Sequence, residues 1–208
     1  MTIGEASWTK AARMLSLVAL AAVAGASPQA QNRAAVALTN LKTRAERSDY
    51  RETSRYADVV AFMEAVAQAA PKTVHLTTFG YTVEGRALPL AGVGAPGADP
   101  ETVTRTGKLR VYIQGNIHGG EVEGKESAQM LLRDLAQGRH AEWLQSMVLL
   151  VAPIYNADGN ERVSLTNRGR QHGPVGGMGQ RPNAQDLDLN RDHMKLDSPE
   201  ARSFVRLM

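Results

Sequence analysis

Lys108 to Glu123 reads KLRVYIQGNIHGGEVE. Leu109, Val111, Tyr112 and Ile113 form a short apolar run rich in β-branched and aromatic residues, and Gly115, Gly119 and Gly120 follow at once. The pattern predicts a buried strand that ends in a tight polar loop. His118 and Glu121 occupy that loop. Three positions apart with two glycines between them, an imidazole and a carboxylate can turn toward one point, which is what a catalytic zinc of the His2Glu type needs from one loop. A lone His-x-x-Glu carries little information, so the rest of the chain has to support it.

Downstream, Val122 to Gln137 reads as a helix with Ala128, Leu131, Leu132 and Leu135 on one side, and Gly138 ends it. Trp143 and Leu144 can dock the following turn, and Met147 to Ala152 is an apolar run that Pro153 closes, a second buried strand. Strand, helix, strand in this compass predicts a right-handed crossover. The expected fold class is α/β, a mixed, mostly parallel sheet with helices on both faces. Ligands in such sheets bind at the carboxyl ends of the strands. His118, Glu121, Asn156 and Asp158 all fall there.

Upstream, Ser54 or Asp58 can cap a helix in which Val59, Phe62, Met63, Val66 and Ala70 recur at helical spacing, and Pro71 stops it. Val74 to Phe79 alternates as a strand, with Gly80 as its turn. After the Glu84-Gly85-Arg86 turn comes a second strand candidate, Ala87 to Val93, interrupted by Pro89, and then a loop from Gly94 to Asp99. Gln31 to Arg47 is Ala-, Asn- and Arg-rich and reads as a loose arm. Gly159 to Gln185 is a long, polar, glycine-rich loop carrying Arg162, Arg168, Arg170 and Arg181, and loops of that length tend to be functional.

The N-terminus has a separate character. Lys10 and Arg13 precede the uncharged run Met14 to Ala26, which ends in the small residues Ala24-Gly25-Ala26. This describes a secretory signal peptide cut after Ala26 or Ala30, with an amphipathic first helix as the competing reading. Residues 1–30 are therefore set apart as signal peptide and start of the mature arm, and the protein is expected to be exported, periplasmic or secreted. No other segment is a transmembrane candidate, so no stable membrane insertion is expected after cleavage.

Composition narrows the chemistry. The chain has 208 residues, 43% of them apolar and 5% aromatic, so its core has to be built mainly from Ala, Val and Leu. Cysteine is absent, which removes disulfides, a thiolate nucleophile and Cys-ligated metals. Lys and Arg number 24 against 21 Asp and Glu. The basic residues are scattered through mixed sequence, unlike a nucleic-acid footprint, and no nucleic acid is expected as a partner.

Several spaced motifs together resemble one family. GNIHGGEVEGKE at residues 115–126, Asn156-Ala157-Asp158-Gly159, Asn167-Arg168 and Asp188-Leu189-Asn190-Arg191 occur in the order found in the zinc carboxypeptidase family, and the Glu84-Gly85-Arg86 turn is similar to a segment of it. The resemblance implies a carboxypeptidase-like fold with one Zn2+ per catalytic domain, His118 and Glu121 being the first two metal ligands. Asp188 matches the acid that accepts a hydrogen bond from the ligand imidazole. Asn190 and Arg191 match the pair that clamps a substrate's terminal carboxylate, where a planar guanidinium can make two parallel bonds. Arg168 matches the arginine that polarises the scissile carbonyl, with Arg170 as the competing register. Asn156 and Asp158 shape the loop beside the metal, with Ala157 standing where the family usually has proline. His172 and His193 are not taken as ligands.

In that family the third ligand, a tyrosine that closes over substrate and the glutamate that activates water lie further along, past Met208. Pro199 to Met208 reads as the start of a helix, so residues 31–208 are expected to be the N-terminal part of a longer catalytic domain, truncated at its C-terminus and inactive as it stands. For the full-length protein the resemblance implies hydrolysis of C-terminal peptide or related amide bonds in substrates with a free carboxylate. The alternatives are a cell-wall peptide or acyl-group amidohydrolase on the same scaffold, or a catalytically dead binding module.

Overall fold

The structure is a computed structural model that describes residues 36–208. The signal-peptide reading lies outside the described residues. Four strands form one sheet: β1 (Val74–Tyr81), β2 (Ala87–Val93), β3 (Leu109–Gln114) and β4 (Met147–Ala152), in the order β1-β2-β4-β3. The β1–β2 and β2–β4 pairs are antiparallel and only β3–β4 is parallel. The sheet is therefore mixed and mostly antiparallel, which corrects the mostly parallel sheet expected from the sequence. The cause is connection length. Thr82 to Arg86 is a tight turn, closed by Thr82 N–H to Arg86 O at 2.9 Å, and a short link can join only antiparallel neighbours. The segment between β3 and β4 is long enough to cross over, and it does so through a long helix followed by the short helix α5 (Trp143–Ser146).

Helices cover both faces. On one side α2 (Tyr56–Ala69) and α4 (Val122–Ala136) bury Val59, Phe62, Met63, Val66, Ala128, Leu132 and Leu135 against Ala91, Val93, Leu149 and Val151. On the other, α3 (Pro100–Arg105) and α7 (Pro199–Leu207) approach the alternate residues Leu90, Val148 and Leu150 through Val103 and Leu207. The period-two alternation of a strand divides β4 between two cores. Pro89 is tolerated because β2 pairs with β4 only from Ala91 onward.

Several local expectations change. β3 stands at the edge of the described sheet and is only half covered, with Leu109 65% exposed, so it is not a buried strand. Gly80 does not turn the chain. It continues β1 past a register shift, and a Cβ there would strike the Ser203 side chain of α7. Glycine in a strand here marks a close approach. The cap of α2 is neither Ser54 nor Asp58 at the N-cap position: Arg55 stands there, and Asp58 reaches back to accept its N–H at 2.8 Å. From residue 36 the expected loose arm is ordered. Residues 36–40 are helical and Leu38 is buried. The short helix α1 (Arg44–Arg47) carries Glu46, which takes two bonds from Arg133 of α4 at 2.7 and 2.8 Å. Beyond the Gly94–Asp99 loop, α3 starts on an Asp99 cap with Pro100 in its first turn.

Candidate metal centre

The site is built where β3 and β4 end. After Gln114 the chains stay paired, with Gly115 N–H on Ala152 O at 2.9 Å and Asn156 N–H on Asn116 O at 3.0 Å. Asn116 then takes a positive φ of 59°, a conformation that asparagine tolerates better than most residues. Its side-chain amide donates to the carbonyls of His118, Gly119 and Glu121 at 3.3, 3.1 and 3.0 Å. One buried amide thus gathers the whole turn. Sequence reading passed over Asn116, although an Asn beside glycines at a strand end is a turn signal.

The turn packs backbone to backbone. A Cβ on Gly119 would collide with Gly159 and Asn160, and one on Gly179 would collide with Gly159 and with the carbonyl of Gly119. Three loops meet here with no room for side chains between them, which fixes the direction in which His118 and Glu121 leave the backbone.

His118 is 3% exposed. Its Nδ1 lies 2.7 Å from Glu121 Oε1 and its Nε2 lies 2.9 Å from Asp188 Oδ1, a residue seventy positions away in the chain. Each ring nitrogen faces a carboxylate, but a neutral imidazole has one proton for two acceptors. Either a second proton or a cation between Nδ1 and Glu121 resolves this. A divalent ion there, with the proton kept on Nε2 toward Asp188, is the arrangement in which an outer carboxylate fixes the tautomer of a ligand histidine. The donor set fits a metal in this respect. Among the described residues no group of three or more His, Asp or Glu side chains gathers around one point, so two donors are what these residues supply.

Burial tends to raise the Glu121 carboxyl, but hydrogen bonding and charge from His118, followed by Arg168, outweigh it and leave the group below its ordinary range. Burial opposes the shift at Asp188 as well. There His118, Arg181 and the Asn190 N–H prevail and hold it at about 2. Both groups are therefore charged at neutral pH, the state a metal ligand and its supporting acid require.

Two arginines close the site. Arg168 Nη2 donates to Glu121 Oε1 at 2.9 Å, while Arg181 grips Asp188 Oδ2 through Nε and Nη2 at 3.1 and 2.8 Å. Arg170, the competing register, is exposed. Arg181 was not singled out from the sequence, because in an arginine-rich loop composition does not distinguish one arginine from another. Asn156 ties it in place: its Nδ2 donates to Arg181 O at 3.1 Å, while its Oδ1 accepts Gly159 N–H at 2.9 Å and caps the short helix α6 (Ala157–Glu161).

Asp158 is fully buried and looks the other way, toward the Thr82–Arg86 turn. It accepts from Thr82 Oγ1 at 2.8 Å, Glu84 N–H at 2.9 Å and Arg86 Nη1 at 2.6 Å. Two markers separate in sequence are one structural joint. Asn190 and Arg191 follow Asp188 in a 3-10 turn (Leu189–Arg191) and are exposed; the only bond from the Arg191 side chain among those described is to Asn190 O at 3.0 Å. His193 lies against Phe204 with ring centroids 5.1 Å apart, and His172 is exposed.

The family model described as zinc carboxypeptidase matches residues 59–204. The chain is 35% identical over 126 residues to "Carboxypeptidase 2" of Trichophyton rubrum, covering 60% of this chain and 20% of that protein. It is 34% identical over 146 residues to "Carboxypeptidase D" of Mus musculus, covering 62% of this chain and 10% of that protein. Among solved structures, a metallo-carboxypeptidase from Burkholderia cenocepacia superposes with a TM-score of 0.52 at 24% identity, over 74% of this chain and 38% of that one. Thrombin activatable fibrinolysis inhibitor gives a TM-score of 0.54 at 16% identity, over 82% of this chain and 50% of that one. The chain thus spans a fifth or less of those curated relatives and about half or less of those structures, and it belongs to the zinc carboxypeptidase family.

Proposed function

We propose that the complete protein hydrolyses the C-terminal peptide bond, or a related amide, of substrates with a free carboxylate, and that His118 and Glu121 supply two of the donors to one zinc ion. The observation that carries this reading is the single imidazole set between two carboxylates, Glu121 at 2.7 Å and Asp188 at 2.9 Å. When bound, zinc supplies a Lewis acid that polarises a carbonyl and acidifies a water molecule. The chain's own residues support that chemistry. Asp188 keeps the His118 proton on Nε2 and makes Nδ1 the better donor. Asn190 and Arg191, exposed beside it, hold the substrate's terminal carboxylate, and Arg168 donates toward the oxygen that gains charge. Export, read from residues 14–26, belongs to the same proposal, and N-terminal sequencing of the protein recovered outside the cytoplasm tests it.

The decisive experiment compares peptides with free and amidated C-termini as substrates of the complete protein before and after Arg191→Ala. We expect kcat/KM for the free peptide to fall at least tenfold while that for the amidated peptide changes less than twofold. Equal loss on both defeats the clamp. Preference for the amidated form, or for cell-wall peptides and acylated amines, moves the activity to an amidohydrolase on this scaffold. No hydrolysis and no zinc above background would leave a binding module.

A further inference from the structure

Beneath the His118–Glu121 turn lies a set of buried polar groups that the chemistry above does not use. Lys125, on α4 one helical turn beyond Glu121, is fully buried. Its Nζ donates to Ser54 O and to Asn160 Oδ1, each at 2.5 Å. Its neighbour Glu126 grips the same segment from the opposite polarity. Glu126 Oε1 accepts Ser54 N–H at 2.6 Å and Thr53 Oγ1 at 2.8 Å, and Oε2 accepts Ser54 Oγ at 2.9 Å. Consecutive side chains of one helix therefore satisfy both the N–H and the C=O of Ser54.

Asn160 carries the link to the site. Its side-chain amide also donates to Glu161 Oε1 at 2.9 Å, and its own N–H is held by Asn156 O at 3.0 Å. Its backbone is one of the surfaces on which side-chain-free Gly119 and Gly179 rest. Any shift of Asn160 is transmitted to Gly119, next to His118, because no flexible side chain lies between the two backbones to absorb it. Burying an ammonium costs several kcal/mol before its bonds are counted, and burial pushes Lys125 down to about 8 despite the opposing pull of Glu126 and Glu161. An aliphatic residue would fill the same volume without that cost. What the ammonium adds is the fixed distance between α4, Ser54 and Asn160.

We infer that Lys125 is a positioning residue for the His118–Glu121 turn, acting through Asn160 and the glycine contact to set where the two side chains point. The functional meaning of this role rests on the zinc reading above; its geometry does not.

The test uses the complete protein with Lys125→Met and Asn160→Ala, singly and together. Zinc affinity is read by competition with a chromophoric chelator, and hydrogen exchange is read at the amides of Gly119, Gly120 and Glu121 with β4 amides as internal reference. Each single variant should weaken zinc binding tenfold to a hundredfold, the range typical of groups that support a ligand. Each should speed exchange at the turn at least tenfold while β4 is unchanged, and the double variant should be no worse than the more severe single, because both break one link. Wild-type affinity and wild-type turn exchange in a folded single variant overturn the inference, and so do losses that add. If Lys125→Met does not fold, Asn160→Ala decides by the same two readouts. Absence of zinc binding in the wild-type protein would sink the zinc reading instead, and the exchange comparison would still decide the role of Lys125.

Discussion

The apolar layer between the sheet and helices α2 and α4 and the polar layer beneath His118 are both buried, yet opposite rules build them. In the first, Val59, Phe62, Met63 and Val66 face Ala128, Leu132 and Leu135, and what matters is volume and patterning, since dispersion and burial have no direction. In the second, Asp158, Lys125, Glu126 and His118 each depend on specific partners between 35 and 76 residues away, and an unmatched group costs its desolvation. The difference teaches where each kind of change is felt. The apolar layer absorbs a conservative swap, while the polar layer fails one bond at a time.

The largest effect should come from the apolar side. Leu132 is fully buried, and Leu132→Ala should remove about 4 kcal/mol of stability, transfer and cavity terms together. Leu132→Met should cost less than about 1.5 kcal/mol. Urea denaturation monitored by circular dichroism measures both. If Met proves as costly as Ala, packing in this layer is as specific as a hydrogen bond and the contrast fails.

Asp158→Ala should follow at about 3 kcal/mol, because it takes the acceptor away from donors on Thr82, Glu84 and Arg86 at once. A local turn residue would cost only about 1 kcal/mol, as a lost helix cap does. A double-mutant cycle with Arg86→Ala sharpens this further. The two losses should fall short of additivity by at least about 1 kcal/mol if the joint is real; strict additivity would reduce Asp158 to a turn former.

The same contrast explains what could be read from the sequence. Apolar periodicity is local, so the ranges of β2, β3 and β4 and the buried face of α2 were legible from spacing alone. Strand order was not, because it depends on which loops are too short to cross over, and a strand-helix-strand unit at the centre of the chain drew attention from the hairpin at Thr82–Arg86. The loop placing His118 beside Glu121 was visible because both lie within four residues, and Asp188 entered through a motif. Apolar spacing says nothing of Lys125, Glu126 and Gln129 on the same helix, and all three are buried. Their partners, Ser54 and Asn160, have no local signature. Arg181 was lost among neighbouring arginines for the same reason: its identity is set by Asn156 and Asp188, not by its own surroundings in sequence.

The smallest effect tests the polar layer where it is incomplete. Glu200 is fully buried; Oε2 accepts Asn183 Nδ2 at 3.3 Å, while Oε1 has no hydrogen-bond partner. Burial, aided by the charge of Asp158, raises its carboxyl above the ordinary value. The sign follows from proton linkage. Between the unfolded pKa near 4.5 and the raised folded value, the native state binds more protons than the unfolded one, so stability falls as pH rises through that window. Glu200→Gln should remove this dependence and stabilise the protein at pH 8, with no difference at pH 4, where the wild-type carboxyl is already protonated. The opposing effect is loss of a negative charge in the first turn of α7, worth roughly 0.3 to 1 kcal/mol. That is smaller than the several kcal/mol that desolvating a poorly paired buried charge costs, so burial decides the sign. Melting temperatures of the two proteins across pH 4 to 8 measure the difference. Curves that run parallel, or a Gln variant less stable throughout, would mean that Glu200 is held charged by partners strong enough to complete the layer, and that the polar side of the molecule has no loose end at this point.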